Sequence, residues 1–275
     1  MTKTFAGFEL TRPLIMGIVN ATPDSFSDGG DAFRFDDAVA RGLQLIEEGA
    51  DIIDVGGEST RPGAETVSTA EEIRRTVPVI EALTASGACV SIDARHADVM
   101  EAALNAGAKI INDVTALEGD ARSLTVAASS GAPIVLMHMQ GEPGNMQNDP
   151  HYDNPAQDVF AYLKARVEAC ESAGISRTRI AVDPGIGFGK TVDHNLHILN
   201  HLDVYQDLGL PVLLGVSRKS FIAKIAGEMD AKRRFPGSIA AALAGVARGA
   251  HILRVHDVAQ TKQALDIWMA IEKVS

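Results

Sequence analysis

Six times along this chain a short run of isoleucine, valine, leucine or alanine leads to a polar or charged side chain at or near its end. The clearest case is Ile180-Ala181-Val182-Asp183, which runs straight into Pro184-Gly185-Ile186-Gly187-Phe188-Gly189-Lys190. The others carry Asn20, Asp54, Asp93, the pair Asn112 and Asp113, and the pair Arg254 and His256. A β-branched run that breaks into glycine reads as a buried strand entering a tight turn, so its last polar residue lands at the strand's C-terminal end. Polar groups gathered at the ends of several different strands are how a closed (β/α)8 barrel builds an active site.

The rest of the chain keeps to that alternation. Strand-like segments lie near 14–20, 51–55, 89–93, 109–113, 133–138, 179–183, 211–215 and 251–255. Helix-like segments lie between them at 36–48, 69–85, 97–106, 120–130, 154–173, 193–208, 237–248 and 258–273, and glycine closes many of these. No strand alternates cleanly between apolar and polar residues, as expected of parallel strands covered on both faces. The strands recur every ~20–45 residues, the length of a βα unit. The expected fold is therefore α/β, a single (β/α)8 TIM barrel, with residues 1–275 forming one domain. A doubly wound open sheet is the competing arrangement. Its dinucleotide-binding version is disfavoured because no G-x-G-x-x-G follows the first strand. Residues 1–11 precede the first strand and suit a small hairpin across the barrel bottom, which the sequence leaves open.

Charge and length narrow the function classes. A net charge of −11 argues against a broad nucleic-acid surface. No run approaches the ~18 apolar residues that span a bilayer. Cys89 and Cys170 are the only cysteines and form no C-x-x-C, so no disulfide framework is expected and both read as buried apolar thiols. Met1-Thr2-Lys3-Thr4-Phe5 is followed by no long apolar run, and the expected location is the cytoplasm.

Local groups then suggest a site. Ser217-Arg218-Lys219-Ser220 follows the seventh strand and opens a short helical run to Ala226, while Arg254 and His256 finish the eighth. The loops after strands seven and eight of a barrel commonly hold phosphate. Arg254 and His256, separated by one residue, point the same way in an extended strand. Asp93, Asn112 and Asp183, facing one cavity, suit a ring with several N–H donors, such as a pterin or purine edge. A metal cluster is the rival reading of these acids, and an N-cap the rival for Asp183. His138 is either a cavity-lining residue or a satisfied core histidine. The polar loops 20–30 and 56–63 carry Phe26 and Pro62, apolar points that need something to cover.

Residues 16–30, reading MGIVNATPDSFSDGG, closely resemble the first signature of dihydropteroate synthases, and 51–63, DIIDVGGESTRPG, their second. Residues 183–189 and 217–222 resemble the family's pterin and aminobenzoate segments, and Arg254–Val255–His256 its closing R-x-H. Ala21 stands where valine is frequent. The resemblance implies condensation of 6-hydroxymethyl-7,8-dihydropterin pyrophosphate with 4-aminobenzoate to give 7,8-dihydropteroate, a step of folate synthesis. It implies that Asp93, Asn112, Asp183 and Lys219 hold the pterin, with Asp93 steadying a developing cation. Arg254, His256 and Asn20 would bind the pyrophosphate, with Mg2+ between Asn20 and the phosphates and help from Thr60 and Arg61. The aminobenzoate would lie against Phe26, Pro62, Phe188 and the Lys219 stem, its carboxylate meeting Ser220, with Asp28 contributing from the first loop. Asp93, Lys219 and Asp28 are then the candidate catalytic residues. A homodimer and sulfonamide inhibitors are the further partners implied. A pterin-dependent methyltransferase would explain the acids but not the SRKSF segment. A non-catalytic pterin-binding paralogue would not require both loop signatures.

Overall fold

The structure is a computed structural model that describes residues 3–22, 35–58, 67–142, 144–228 and 230–274. Eight parallel strands form its centre: β3 (Leu14–Asn20), β4 (Ile52–Gly56), β5 (Val90–Asp93), β6 (Ile110–Asp113), β7 (Ile134–Met137), β8 (Ile180–Asp183), β9 (Leu213–Leu214) and β10 (Ile252–Val255). Their order is β8-β7-β6-β5-β4-β3-β10-β9. A parallel bridge between Val182 and Val212 joins the two ends, so the sheet closes on itself as a barrel. The helices around it are α1 (Phe35–Glu47), α2 (Thr69–Ala85), α3 (Ala97–Asn105), α4 (Ser123–Ser130), α5 (Pro155–Ser172), α6 (Val192–Asn200), α7 (Ser220–Ala226), α8 (Phe235–Val246) and α9 (Val258–Glu272). The fold is the expected (β/α)8 barrel.

Two separate apolar clusters explain why the strands do not alternate. Outward residues such as Ile15, Ile53, Ile92, Ile111, Val182 and Leu253 pack with helix residues such as Leu45, Val79 and Val99. Inward residues at the strand starts, among them Leu14, Ile52, Ile110, Ala181 and Ile252, pack with one another. Both faces are therefore apolar at the lower end of each strand.

Phe5 belongs to this inner cluster and is 1% exposed. It sits on a two-stranded antiparallel hairpin, β1 (Thr4–Phe5) and β2 (Phe8–Glu9). The hairpin that the sequence left open thus caps the barrel bottom, with one aromatic ring covering the ends of the inward stacks.

Two helix expectations are corrected. The segment 193–208 is not one helix. It stops at Asn200 and continues as a 3-10 helix over Leu202–Leu208, in which Leu202, Tyr205 and Leu208 are buried. Their spacing of three lines up on a helix of three residues per turn and would spiral off an α-helix. The start of 120–130 is a turn, because the Asp120 carboxylate accepts from the N–H of Arg122 at 2.8 Å and of Ala97 at 3.1 Å.

Candidate active site

Two residues further along each inward stack, the side chains become polar. Ile52 is followed on the same face by Asp54, Ile110 by Asn112, Ala181 by Asp183, and Ile252 by Arg254. Strand register keeps the set together, since Asp93 pairs with Gly56 on one side and with Asn112 on the other. Asp93, Asn112, Asp183 and Arg254 thus converge on the C-terminal mouth of the barrel. Asn20 ends β3 opposite Gly56.

Arg254 sits between two acids. Its Nε donates to Asp54 Oδ2 and its Nη2 to Asp93 Oδ2, each at 2.6 Å. Asn112 Nδ2 donates to the same Asp54 oxygen at 3.0 Å, while Asp54 Oδ1 is buried without a hydrogen-bond partner. Burial pushes the Asp93 carboxyl well above the ordinary aspartate range, and Arg254 opposes that shift. Asp54 is fully buried, and the sequence reading did not place it in the site. The signal was present, since Asp54 stands two residues beyond an inward isoleucine, as Asn112 does.

Asp183 accepts from the Gly185 N–H at 2.7 Å. Burial raises its pKa to about 6, against that hydrogen bond and the charges of Lys219 and Arg254. Gly215 faces the second Asp183 oxygen, Oδ2, from which an added Cβ would stand 3.9 Å away, at ordinary contact distance. Lys219 lies just before α7, with its Nζ 3.9 Å from the centre of the Phe188 ring. Ser220, the first residue of α7, is exposed. Asp183, Phe188, Lys219 and Ser220 therefore belong to two neighbouring strand-end loops, as the motifs implied.

The loops after β9 and β10 are tied together. Ser217 Oγ accepts from the His256 backbone N–H at 3.1 Å and lies 3.0 Å from His256 Nδ1. Arg218 Nε donates to Asp257 Oδ2 at 3.0 Å, so this arginine fastens loop to loop. Arg254 points into the acid pair, and its Nη1 makes no hydrogen bond to the described residues, so it remains available to an anion. Phe26, Asp28, Thr60, Arg61 and Pro62 lie outside the described residues.

His138 resolves as a core histidine. It follows Met137, which pairs in register with inward Asp183, and so faces the helices. Tyr162 packs edge-on at 4.9 Å and Tyr152 lies at 5.9 Å. Burial and the nearby Lys190 hold its pKa down at about 3. Lys190 donates to His138 Nδ1 at 2.9 Å, to Phe188 O at 2.9 Å and to His138 O at 3.4 Å. Burial pulls Lys190 down to about 7, opposed by Asp183.

Among the described residues no three His, Cys, Asp or Glu side chains converge as a metal cluster. The acids instead face an arginine, an amide and open strand ends, an arrangement that can accept several N–H bonds from a flat ring and neutralise an adjoining anion.

Comparison with known proteins agrees with this geometry. The family described as "Pterin binding enzyme" matches residues 16–256, from within β3 to just past β10. A dihydropteroate synthase of Neisseria meningitidis serogroup C is 50% identical over 265 residues, covering 95% of this chain and 94% of that protein. The Xanthomonas albilineans dihydropteroate synthase solved with 4-aminobenzoic acid aligns with a TM-score of 0.91 at 49% identity, covering 96% of this chain and 95% of that one. The Yersinia pestis dihydropteroate synthase solved as a sulfonamide drug complex aligns with a TM-score of 0.92 at 42% identity, covering 99% and 100%. With the barrel, the polar strand ends and half of its residues in common with such relatives, this chain belongs to the dihydropteroate synthases of the pterin-binding enzyme family.

Proposed function

We propose that this chain joins 6-hydroxymethyl-7,8-dihydropterin pyrophosphate to 4-aminobenzoate, releasing 7,8-dihydropteroate and pyrophosphate. The observation that carries this reading is the convergence of Asp93, Asn112, Asp183 and Arg254 on one end of the barrel, beside Lys219 and Phe188. The amine nitrogen forms a bond to the pterin methylene carbon as the C–O bond breaks. Pyrophosphate leaves with the bonding electrons, and the new C–N nitrogen gives up a proton. A neutral arylamine needs no base before attack, so orientation and charge placement suffice.

Asp183 accepts the pterin N–H edge, and Asn112 and Lys219 bond its remaining polar atoms. Asp93, in the carboxylate form that predominates above about pH 7 and that Arg254 favours, steadies positive charge that develops on the ring. Arg254 Nη1 and His256 meet the pyrophosphate. The aminobenzoate ring lies against Phe188 and the Lys219 stem, its carboxylate toward Ser220. Sulfonamides occupy the same place. Phe26, Asp28, Thr60, Arg61 and Pro62 complete the site from the two loops on the strength of the motif resemblance alone.

Magnesium fits the donor chemistry at Asn20. That amide ends β3, is partly exposed and makes no hydrogen bond to the described side chains. Its hard oxygen, with water and phosphate oxygens completing the shell, suits an ion that keeps much of its hydration. Bound there, magnesium would neutralise the leaving pyrophosphate.

A homodimer is the proposed assembly. Ile225, Phe235, Ile267 and Ile271 are 40–63% exposed on α7, α8 and α9, apolar surface that a second copy would cover. Sedimentation velocity tests it, and a monomer at assay concentration overturns it. The cytoplasm is the proposed location, where the free thiols Cys89 and Cys170 would stay reduced. No helix among the described residues is long and apolar enough to cross a membrane.

The activity is tested by mixing the pterin pyrophosphate, 4-aminobenzoate and Mg2+ and measuring pyrophosphate release. Release that depends on aminobenzoate is expected. Binding of pterin without release would indicate a binding paralogue instead.

A further inference from the structure

Lys190 is buried at 3% exposure and lies outside the reacting groups, yet its ammonium has three acceptors within reach. Two come from His138, the ring Nδ1 and the backbone carbonyl, and the third is the carbonyl of Phe188. An ammonium carries three N–H donors, so the set is complete for the charged form. Bonding through Nδ1 also leaves the His138 proton on Nε2.

Lys190 therefore crosses between the loop after β7 and the loop after β8. These loops touch backbone to backbone. Gly185 has φ +68°, and a Cβ there would stand 1.9 Å from the His138 carbonyl oxygen. Gly189 has φ +59°, and a Cβ would stand 2.3 Å from the Gln140 carbonyl oxygen. Around them, Gln147 Nε2 donates to Gly187 O at 2.8 Å, Tyr152 Oη donates to Gly189 O at 2.8 Å, and Asn195 Oδ1 accepts from the Gly187 N–H at 2.7 Å. The carbonyl of Phe188 is held by Lys190. Phe188 is also the residue whose ring meets the Lys219 ammonium at 3.9 Å.

We infer that Lys190 is a positioning residue for aminobenzoate: by clamping the Phe188 carbonyl to His138, it holds the Phe188 ring against Lys219 and so fixes one wall of the arylamine pocket. This rests on the proposed condensation. Without the clamp, two carbonyls and a ring nitrogen lose a buried donor, and the Phe188 peptide is free to turn. The pterin edge would be less disturbed, because Asp183 is held separately by the Gly185 N–H.

The test is a double-mutant cycle of Lys190→Met and Phe188→Leu, run at pH 6.5, between the value of about 6 for Asp183 and that of about 7 for Lys190, where the carboxylate and the ammonium both predominate. Lys190→Met is expected to raise the KM for aminobenzoate about tenfold, with affinity for a phosphate-free pterin changed less than about threefold. The double variant is expected to be no worse than the poorer single variant, since both changes disturb one wall. Additive effects, or a loss of pterin affinity equal to the rise in KM, would overturn the inference. Melting curves check each fold. Should Lys190→Met fail to fold, Lys190→Gln, whose amide has two N–H donors where the ammonium has three, replaces it: a KM rise smaller than about tenfold that is not additive with Phe188→Leu supports the inference, and an additive cycle overturns it. Wild-type pyrophosphate release separates the two conclusions. An active wild type with an additive cycle removes only the role of Lys190, whereas an inactive wild type removes the condensation and this role with it.

Discussion

At the residue scale, the site depends on buried charges held by few partners. The Asp183 carboxylate accepts one hydrogen bond from the described residues, from the Gly185 N–H, and burial raises its pKa to about 6. Its pterin-binding form is the carboxylate, so affinity is full above that value and falls as pH drops through it. In Asp183→Asn the amide retains one acceptor oxygen and no charge. Hydrogen bonds to charged groups contribute about 1.5–3 kcal/mol, so pterin affinity should fall roughly tenfold to a hundredfold. The acid limb of the binding profile should vanish with it. Calorimetric titration between pH 5 and pH 8 checks both points, and unchanged affinity in a folded variant removes Asp183 from the pocket. Asp54 gives a second expectation. Asp54→Ala takes acceptors from both Arg254 and Asn112 and leaves the arginine to Asp93 alone. Breaking a buried pair by deleting one partner costs about 3–5 kcal/mol. Urea melts should show a loss of that order, together with loss of turnover; a loss below about 1 kcal/mol would contradict the geometry.

At the element scale, α2 shows how a helix carries both fold and site. Ser68 caps it, with Ser68 Oγ accepting from the Glu71 N–H at 3.3 Å. Its apolar face, with Val79, Ile80 and Leu83, packs on the barrel, which is why the period was readable over 69–85. What the period does not reveal is Glu72. This acid is 1% exposed, neither of its oxygens has a hydrogen-bond partner, and it presses on the turn after β4, where a Cβ on Gly57 would meet Glu72 Cγ at 2.9 Å. Burial first, then the charges of Glu58 and Asp93, raises its pKa from 4.5 to about 8. Between those values the folded protein holds a proton that the unfolded chain releases. Stability therefore falls as pH rises across that window, by up to about 1.4 kcal/mol per pH unit from this group. Glu72→Gln cannot ionise, so its stability relative to wild type should improve from pH 5 to pH 8. Chemical denaturation at the two pH values measures this, and a constant difference would show that Glu72 does not titrate in the window.

At the scale of the whole molecule, the barrel separates stability from chemistry along its axis. Phe5 and the inward apolar residues fill the lower end, and the acids, amide and arginine fill the upper end. Phe5→Ala should cost about 3–5 kcal/mol, as expected for a deleted core aromatic ring. The KM values for both substrates should stay within about twofold, because no polar strand-end group depends on the hairpin. Urea melts and steady-state kinetics on the same preparation test the separation. A large KM change with little loss of stability would mean that the two ends communicate.

The sequence by itself determined the alternation of strands and helices, the closed barrel, and which strands end in Asp93, Asn112, Asp183 and Arg254. These follow from local properties: β-branched runs, helical periods, and glycine at the breaks. Tertiary structure alone decided which charges meet. The Asp54–Arg254 pair spans 200 residues, and the Lys190–His138 contact spans 52. Barrel closure chose those partners, because register aligns inward positions of neighbouring strands and the low-dielectric interior leaves few ways to satisfy a buried charge. The break in α6 was decided in the same way, by burial of Leu202, Tyr205 and Leu208 against elements far away in the chain. A local pattern states which face of an element is apolar; only the packed molecule states what that face, or a charge within it, will touch.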